Sequence, residues 1–367
     1  VQSYAPRPEP NDEESFVTTQ RTDASSTQGT SSSHGSSVPP PAAMLNLITG
    51  YWVSRMVFVA AKLDVAEHLK DGPKSVADLA RSTGTNATAL FRLLRSLASV
   101  GVFAERADGR FELTPLADTL RANVPGSMKS FVLMMIENYN WDSWKELPYS
   151  VETGGVALEK ALGMKAFDYL GRHPDDARIF GESMSNLSAN ETPAVLEAYD
   201  FKSFQKIVDV GGGHGHLVSA ILAANPKLTG VLYDNPSVVE NARIPKEVAS
   251  RLDIEGGDFF QSVPAGADAY IMKYIVHDWD DERAKRLLSN CRKAIAKNGT
   301  LLVVDNVIPP GNGPHWGKLL DINMMVATGG LERTEKQFRD LFKSAGFTLS
   351  RIVPTKCPLS IVEGKPA

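Results

Sequence analysis

Three residues in the last third of the chain carry side chains suited to moving a proton. His277 lies in Met272-Lys-Tyr-Ile-Val-His-Asp-Trp279, Asp305 closes the apolar run 301–305, and Glu332 sits in Gly329-Gly-Leu-Glu-Arg-Thr334. A neutral imidazole can take a proton near pH 7, and a carboxylate on its far nitrogen would fix the tautomer and stabilise the imidazolium. A lone histidine is more often structural. Here, however, the imidazole and two carboxylates converge from neighbouring strand ends, Glu332 from the segment ahead of the next helix, with Lys273 at the end of the same run as His277. The acids at 278, 280, 281 and 282 could suggest a metal, but helix capping and the helix dipole account for three of the four. No metal is expected.

A second constellation precedes these residues. The run Lys206-Ile-Val-Asp-Val ends in Gly211-Gly-Gly-His-Gly215, which reads as a buried strand turning sharply into a helix. Glycines there permit positive φ and let a ligand lie against bare peptide groups. A dinucleotide such as NAD and S-adenosylmethionine both suit such a turn. Asp234 closes the next strand, where a carboxylate can accept hydrogen bonds from two ribose hydroxyls, and serves either ligand. Asp258 and Phe259 close the third with a carboxylate for an adenine amino group and a ring for stacking, although Asp258 could equally cap a turn. A dinucleotide fingerprint wants its third glycine where His216 stands, a residue expected to obstruct close helix packing.

The elements that must position these residues follow from periodicity. After residue 205, strand and helix alternate over 206–210, 217–224, 229–233, 237–242, 252–255, 268–273, 281–296, 301–305 and 334–345, and two final strands span 348–353 and 359–363. Such alternation predicts a doubly wound, mostly parallel sheet with an antiparallel edge and ligands at the carboxyl ends of the strands. Residues 44–114 read as helix, turn, helix and a two-stranded wing. A winged helix raises the possibility of DNA binding through Arg92 and Arg95, but acidic residues intervene and a packing or dimerisation role is favoured. Between them, residues 115–200 are helical and rich in Met and aromatic side chains, among them Met134, Trp141, Phe167, Phe180 and Met184, which suit a core or the faces of an aromatic ligand. The expected domains are 44–200 and 201–367, preceded by a disordered tail over 1–43 rich in Ser, Thr and Pro.

Composition excludes little but points one way. The 367 residues are 43% hydrophobic and 22% charged with a formal net charge of −4, which gives no general pull toward nucleic acid or anionic membranes. Two cysteines, Cys291 and Cys357, lie far apart outside any metal or redox motif. With no apolar run of membrane-spanning length and no signal-peptide pattern, a cytoplasmic protein is expected.

Taken in order, Val208-Asp-Val-Gly211-Gly-Gly-His-Gly215, Gly256-Gly-Asp-Phe259, Lys273 followed by His277-Asp-Trp279, Asn298-Gly299 and Glu332-Arg-Thr334 resemble the plant-type caffeic acid O-methyltransferase family and its bacterial natural-product relatives. The resemblance runs from about residue 44 to 367. It implies a class I methyltransferase (Rossmann-like) α/β domain behind a mostly helical winged-helix dimerisation domain, and a homodimer. By similarity, Gly211 and Gly213 would cradle S-adenosylmethionine, Asp234 would hold its ribose, Asp258 and Phe259 its adenine, and Lys273 would lie near the adenosyl group. His277 resembles the general base, flanked by Glu332 and by Asp305, which is one methylene shorter than the family's Glu. Asp278, Met134 and Met184 match acceptor contacts, whereas Met135 and Thr328 stand where plant enzymes often carry Asn. The activity implied is methyl transfer to a phenolic or enolic hydroxyl of an aromatic small molecule. The alternatives are a relative that binds the same cofactor but catalyses decarboxylation, hydroxylation or a pericyclic step, and the winged-helix regulator.

Overall fold

The computed structural model describes residues 38–367, so the tail expected over 1–43 lies mostly outside the described residues. Helix α1 (Pro40–Lys62) begins earlier than expected, because proline is well tolerated in a first helical turn. By length and composition α1 is apolar enough to cross a membrane. Reading for an uninterrupted apolar run missed this, since Asn46, Ser54 and Arg55 punctuate the helix. Its second half packs on protein: Phe58, Ala60 and Ala61 are buried, and the Arg55 guanidinium donates to the Ile136 carbonyl at 2.9 Å.

Residues 49–367 form one compact unit. The expected winged module is present in it, with α2 (Val76–Thr83), α3 (Ala87–Ser99) and a hairpin of β1 (Phe103–Glu105) and β2 (Phe111–Leu113). Ser75 and Asn86 cap the two helices by accepting the amides of Asp78 and Ala89, which satisfies donors the helix cannot pair internally. Leu79, Leu90, Leu94, Leu97, Phe103 and Phe111 face one another in its core, each contributing about 1.5–3 kcal/mol by burial. Next come α4 (Lys129–Ile136), α5 (Ala166–Arg172) and the long α6 (Pro174–Ala198). Asn186 of α6 donates to Ser130 of α4 at 2.8 Å, which holds these two helices side by side.

The sheet is built from β3 (Lys206–Val210), β4 (Thr229–Asp234), β5 (Leu252–Gly256), β6 (Ala269–Lys273) and β7 (Thr300–Asp305). Two short strands, β8 (Val307–Ile308) and β9 (Arg333–Thr334), pair separately in parallel, and β10 (Phe347–Pro354) and β11 (Ser360–Pro366) complete the sheet. Its order is β10-β11-β7-β6-β3-β4-β5, with β11 antiparallel to both neighbours and the other pairs parallel. This is the expected doubly wound class I arrangement with an antiparallel edge. Strand order reverses at β3, which opens a crevice above the carboxyl ends of β3 and β6.

Helices α7 (His216–Ala224), α8 (Asp281–Ala294), α9 (Trp316–Ala327) and α10 (Glu335–Ser344) accompany the sheet. Alternate residues along each strand serve opposite faces. Val208, Tyr270, Met272 and Val303 pack with Leu287, Cys291 and Phe342, while Ile207, Ile271 and Leu302 pack with Leu217, Ile221 and Val195. Two sequence expectations change here. The helix expected over 237–242 is the single turn Pro236–Val239, and α9 was not expected at all. A loop signal of Pro309-Pro-Gly-Asn-Gly-Pro314 precedes α9, and the apolar residues of the helix are not confined to one face: Trp316 and Leu319 are exposed while Met324 and Val326 are buried.

Candidate active site

The turn after β3 is left-handed at Gly211, Gly213 and Gly215, with φ of 72°, 60° and 84°. A Cβ at Gly211 would lie 2.4 Å from Ile275, whereas one at Gly213 would meet nothing within 4 Å. The peptide at Gly213 therefore faces open space, as a ligand cradle requires. Its N–H donates to Asp234 Oδ2 at 2.8 Å, and Asp234 Oδ1 accepts the Asn235 amide at 2.6 Å. Burial raises the Asp234 pKa against the pull of these two donors. Each oxygen keeps a lone pair for a hydroxyl. His216 does not obstruct the turn, since its side chain is exposed at the start of α7; the close packing falls on Gly215, whose Cβ would meet Ile244 and Leu232. Beneath the turn Asp209 is buried, with one oxygen unpaired and a pKa pushed up to about 7 by burial and then by Asp234.

Beyond β5, Asp258 accepts the Phe260 amide at 2.8 Å and the Gln261 side chain at 3.2 Å. It therefore caps a turn and also lines a pocket of about 410 Å³ together with Phe260, Trp279 and Phe167. The Trp279 ring lies 4.7 Å from that of Phe260 and 5.6 Å from that of Phe167. Phe259, the expected stacking ring, packs edge-on against Phe260; both rings lie partly buried against the sheet core, and Phe260 also lines this pocket.

At the end of β6 the Lys273 ammonium is buried and paired with Glu191 of α6 at 3.0 Å. The same carboxylate accepts the Tyr274 hydroxyl at 2.7 Å. Tyr274 is left-handed, with φ of 57°. Past it, a 3-10 turn (Val276–Asp278) carries His277. The imidazole is buried, and its Nδ1 lies 2.7 Å from Glu332 Oε1. Its Nε2 is 3.8 Å from Asp278 Oδ1, an ionic contact beyond hydrogen-bond range. Burial alone would lower the imidazole pKa, but the Glu332 hydrogen bond and the charges of Asp278, Asp305 and Glu332 prevail and raise it to about 9. These surroundings therefore favour the protonated imidazole over the neutral form expected near pH 7.

Asp305 is fully buried but makes no hydrogen bond to His277. Its Oδ1 accepts the Tyr274 amide at 3.0 Å and its Oδ2 has no partner. Burial raises its pKa to about 7, and burial likewise raises Asp278 to about 6. Asp305 acts on the imidazole through its field, not through contact. Met134 and Met184 lie on the paired helices α4 and α6, the first buried and the second partly so.

Backbone contacts bring Glu332 to His277. The parallel pairing of β8 with β9 sets Val307 opposite Arg333, and the Leu331 amide donates to the His277 carbonyl at 2.9 Å. A Cβ at Gly330 would lie 2.0 Å from that carbonyl oxygen, so only glycine allows this approach. Arg333, fully buried, donates to the carbonyls of Val276 and Trp279 at 3.0 and 2.9 Å and to Asp281 at 2.8 Å, which braces the turn from below. Sequence reasoning assigned no role to Glu191, Tyr274, Gly330 or Arg333. Tyr274, Gly330 and Arg333 were signalled only by proximity to the Lys273, His277 and Glu332 motifs, and Glu191, 82 residues before Lys273, by no motif at all.

Residues 144–348 match the O-methyltransferase domain, and residues 45–123 the O-methyltransferase dimerisation domain. The chain belongs to the O-methyltransferase family. A phenazine O-methyltransferase of Lysobacter antibioticus is 42% identical to it over 340 residues, 92% of this chain and 99% of that one. An 8-amino-8-demethylriboflavin N,N-dimethyltransferase of Streptomyces davaonensis is 34% identical over 318 residues, 85% of this chain and 91% of that one. Among solved structures, an O-methyltransferase from neocarzinostatin biosynthesis in complex with S-adenosylmethionine and 2-hydroxy-5-methyl naphthoic acid superposes with a TM-score of 0.77 at 29% identity, covering 90% of this chain and all of that one. This methyltransferase is therefore an S-adenosylmethionine-dependent enzyme of the natural-product type. The bare peptide at Gly213, the paired Asp234 acceptors and the pocket at Asp258 and Trp279 fit that cofactor.

Proposed function

We propose that this methyltransferase methylates a hydroxyl of a fused-ring aromatic acceptor, with His277 as the general base. The observation that carries the reading is the buried imidazole whose Nδ1 is locked to Glu332, since this leaves Nε2 as the nitrogen able to accept the acceptor's proton. Asp234 would hold the ribose of S-adenosylmethionine, with the Gly211–Gly213 turn beneath its methionine part, Asp258 and Phe259 at its adenine and Lys273 near its adenosyl group. When bound, the cofactor supplies a methyl group on a positively charged sulfur. The protein's share is to align the acceptor oxygen, exclude water and store the released proton on an imidazolium that Glu332 and the field of Asp305 stabilise. Asp278 at the free nitrogen, with Met134 and Met184 on the helical wall, would orient the acceptor. A fused-ring acceptor is supported by the relatives, one acting on a phenazine and one bound to a naphthoic acid.

The N,N-dimethyltransferase relative keeps a second reading open, transfer to an aromatic amine, in which His277 would take a proton from nitrogen. Product mass and the methyl carbon shift, after incubation with matched phenol and aniline panels, separate the two. For the base itself, His277→Ala is expected to lower turnover about 10²-fold or more while calorimetry finds cofactor affinity nearly unchanged. Wild-type turnover in that variant would remove the assignment. We also infer a homodimer through residues 45–123, supported by the match to the dimerisation domain.

A further inference from the structure

We propose that Glu191 and Tyr274 form a positioning pair that fixes the turn carrying His277, so that helix α6 sets the orientation of the imidazole. Three observations carry it. Tyr274 holds a left-handed backbone, φ 57°, which is strained for a non-glycine residue and persists only where its surroundings impose it. The residue is pinned at both ends: its amide is shared between Asp305 Oδ1 at 3.0 Å and the Val304 carbonyl at 3.2 Å, and its hydroxyl donates to Glu191 Oε1 at 2.7 Å. Its ring then lies 5.1 Å from the imidazole at an interplanar angle of 30°, forming one wall of the histidine's socket.

Glu191 divides its two oxygens between two tasks. Oε1 takes the Tyr274 hydroxyl, and Oε2 takes Lys273, whose ammonium also lies 5.1 Å from the Tyr274 ring centroid. Burial and the negative charge of Glu191 raise the Tyr274 pKa far above its usual value, so the hydroxyl stays a donor throughout the working pH range. The groups facing His277 from the packed elements are Asp278 on its own turn, Asp305 from β7, Glu332 ahead of β9 and the Tyr274 ring. Only the last is anchored to α6, the helix that also carries Met184. The glycine turn is tied to α6 as well, because His214 Nδ1 lies 2.9 Å from the Ser185 hydroxyl and its ring packs where Gly181 leaves room. One helix thus touches the cofactor turn, the acceptor wall and the socket of the imidazole.

The proposal takes His277 as the base from the reading above, and the test separates the two. The His277 ring titration is followed by NMR in the full-length protein for wild type, Tyr274→Phe, Glu191→Gln and Glu191→Leu, alongside turnover and cofactor affinity. Tyr274→Phe keeps the ring but frees it from α6. The imidazole should loosen from Glu332, its titration midpoint should fall from about 9 toward the ordinary imidazole range, and kcat should fall about 10-fold at unchanged cofactor affinity. Glu191→Gln keeps an acceptor for the hydroxyl and should leave the midpoint in place while weakening cofactor binding through Lys273; Glu191→Leu should move both. An unchanged midpoint and kcat in Tyr274→Phe, or a midpoint that moves as far in Glu191→Gln as in Glu191→Leu, would overturn the pair. The NMR midpoint decides this even if His277→Ala keeps its turnover, in which case only the base assignment is lost.

Discussion

At the scale of single residues, the proton on His277 is what the structure changes most. An imidazole raised to about 9 must lose its proton before it can accept one, so kcat/KM should climb through neutral pH. Asp305→Asn removes one of the charges that raise it, and the acid limb should move to lower pH; comparison with wild type on the same acceptor cancels the acceptor's own ionisation. Stability has a consistent sign. A raised histidine stabilises fully below its unfolded value near 6.5, and that contribution is lost as pH rises through about 9. Asp278 and Asp305, also raised, add a penalty that grows from the unfolded carboxylate value, about 3.9, up through about 6 and 7. All three predict a ligand-free Tm that falls from pH 5 to pH 9, and Asp305→Asn should raise Tm at pH 8 while changing it little at pH 4. The identities of His277, Glu332 and Asp305 were legible from the motifs. That Asp305 would give its oxygen to the Tyr274 amide was not, because side-chain length says nothing of which backbone donor arrives first.

At the scale of elements, the site depends on a close backbone crossing that no periodicity announces. β8 and β9 are two residues each, too short to show an alternation, yet their pairing delivers Glu332 to the imidazole. Gly330→Ala cannot be absorbed by a side-chain shift, since the atoms in the way are the His277 and Asp278 backbone. It should separate Glu332 from Nδ1 and cost turnover about 10²-fold, visible also as a drop of the His277 midpoint. Arg333→Met leaves the Val276 and Trp279 carbonyls without their donor and should destabilise by about 3 kcal/mol, measured by urea unfolding. Long elements fared better in the sequence: every strand of the main sheet was anticipated to within about two residues at its start, helped at β3, β4, β6 and β7 because buried parallel strands read as apolar runs. Helix α9 failed the same reasoning for want of a single apolar face.

At the scale of the whole chain, alternation of strand and helix with a closing hairpin was enough to anticipate the sheet, and the helical module ahead of it was legible from its caps and stripes. Its pairing into a homodimer was anticipated from the resemblance alone; which surface pairs was not legible, since an exposed apolar face on α1 suits a membrane as well as a second subunit. Tyr51 and Trp52, both more than half exposed, test the dimer inferred above: Trp52→Glu should shift the species seen by light scattering from dimer to monomer. Persistence of the dimer would move the interface elsewhere. Cys291, sealed in the sheet core with its thiol pushed up to about 12 by burial, contrasts with the partly exposed Cys357. The protein thereby contains its own stopwatch. One thiol reacts with a disulfide reagent at once, and the other only when the core opens. With S-adenosylmethionine at 100 times its Kd, opening becomes about 100-fold rarer, so the delay in the second reaction measures cofactor affinity with no acceptor in the tube.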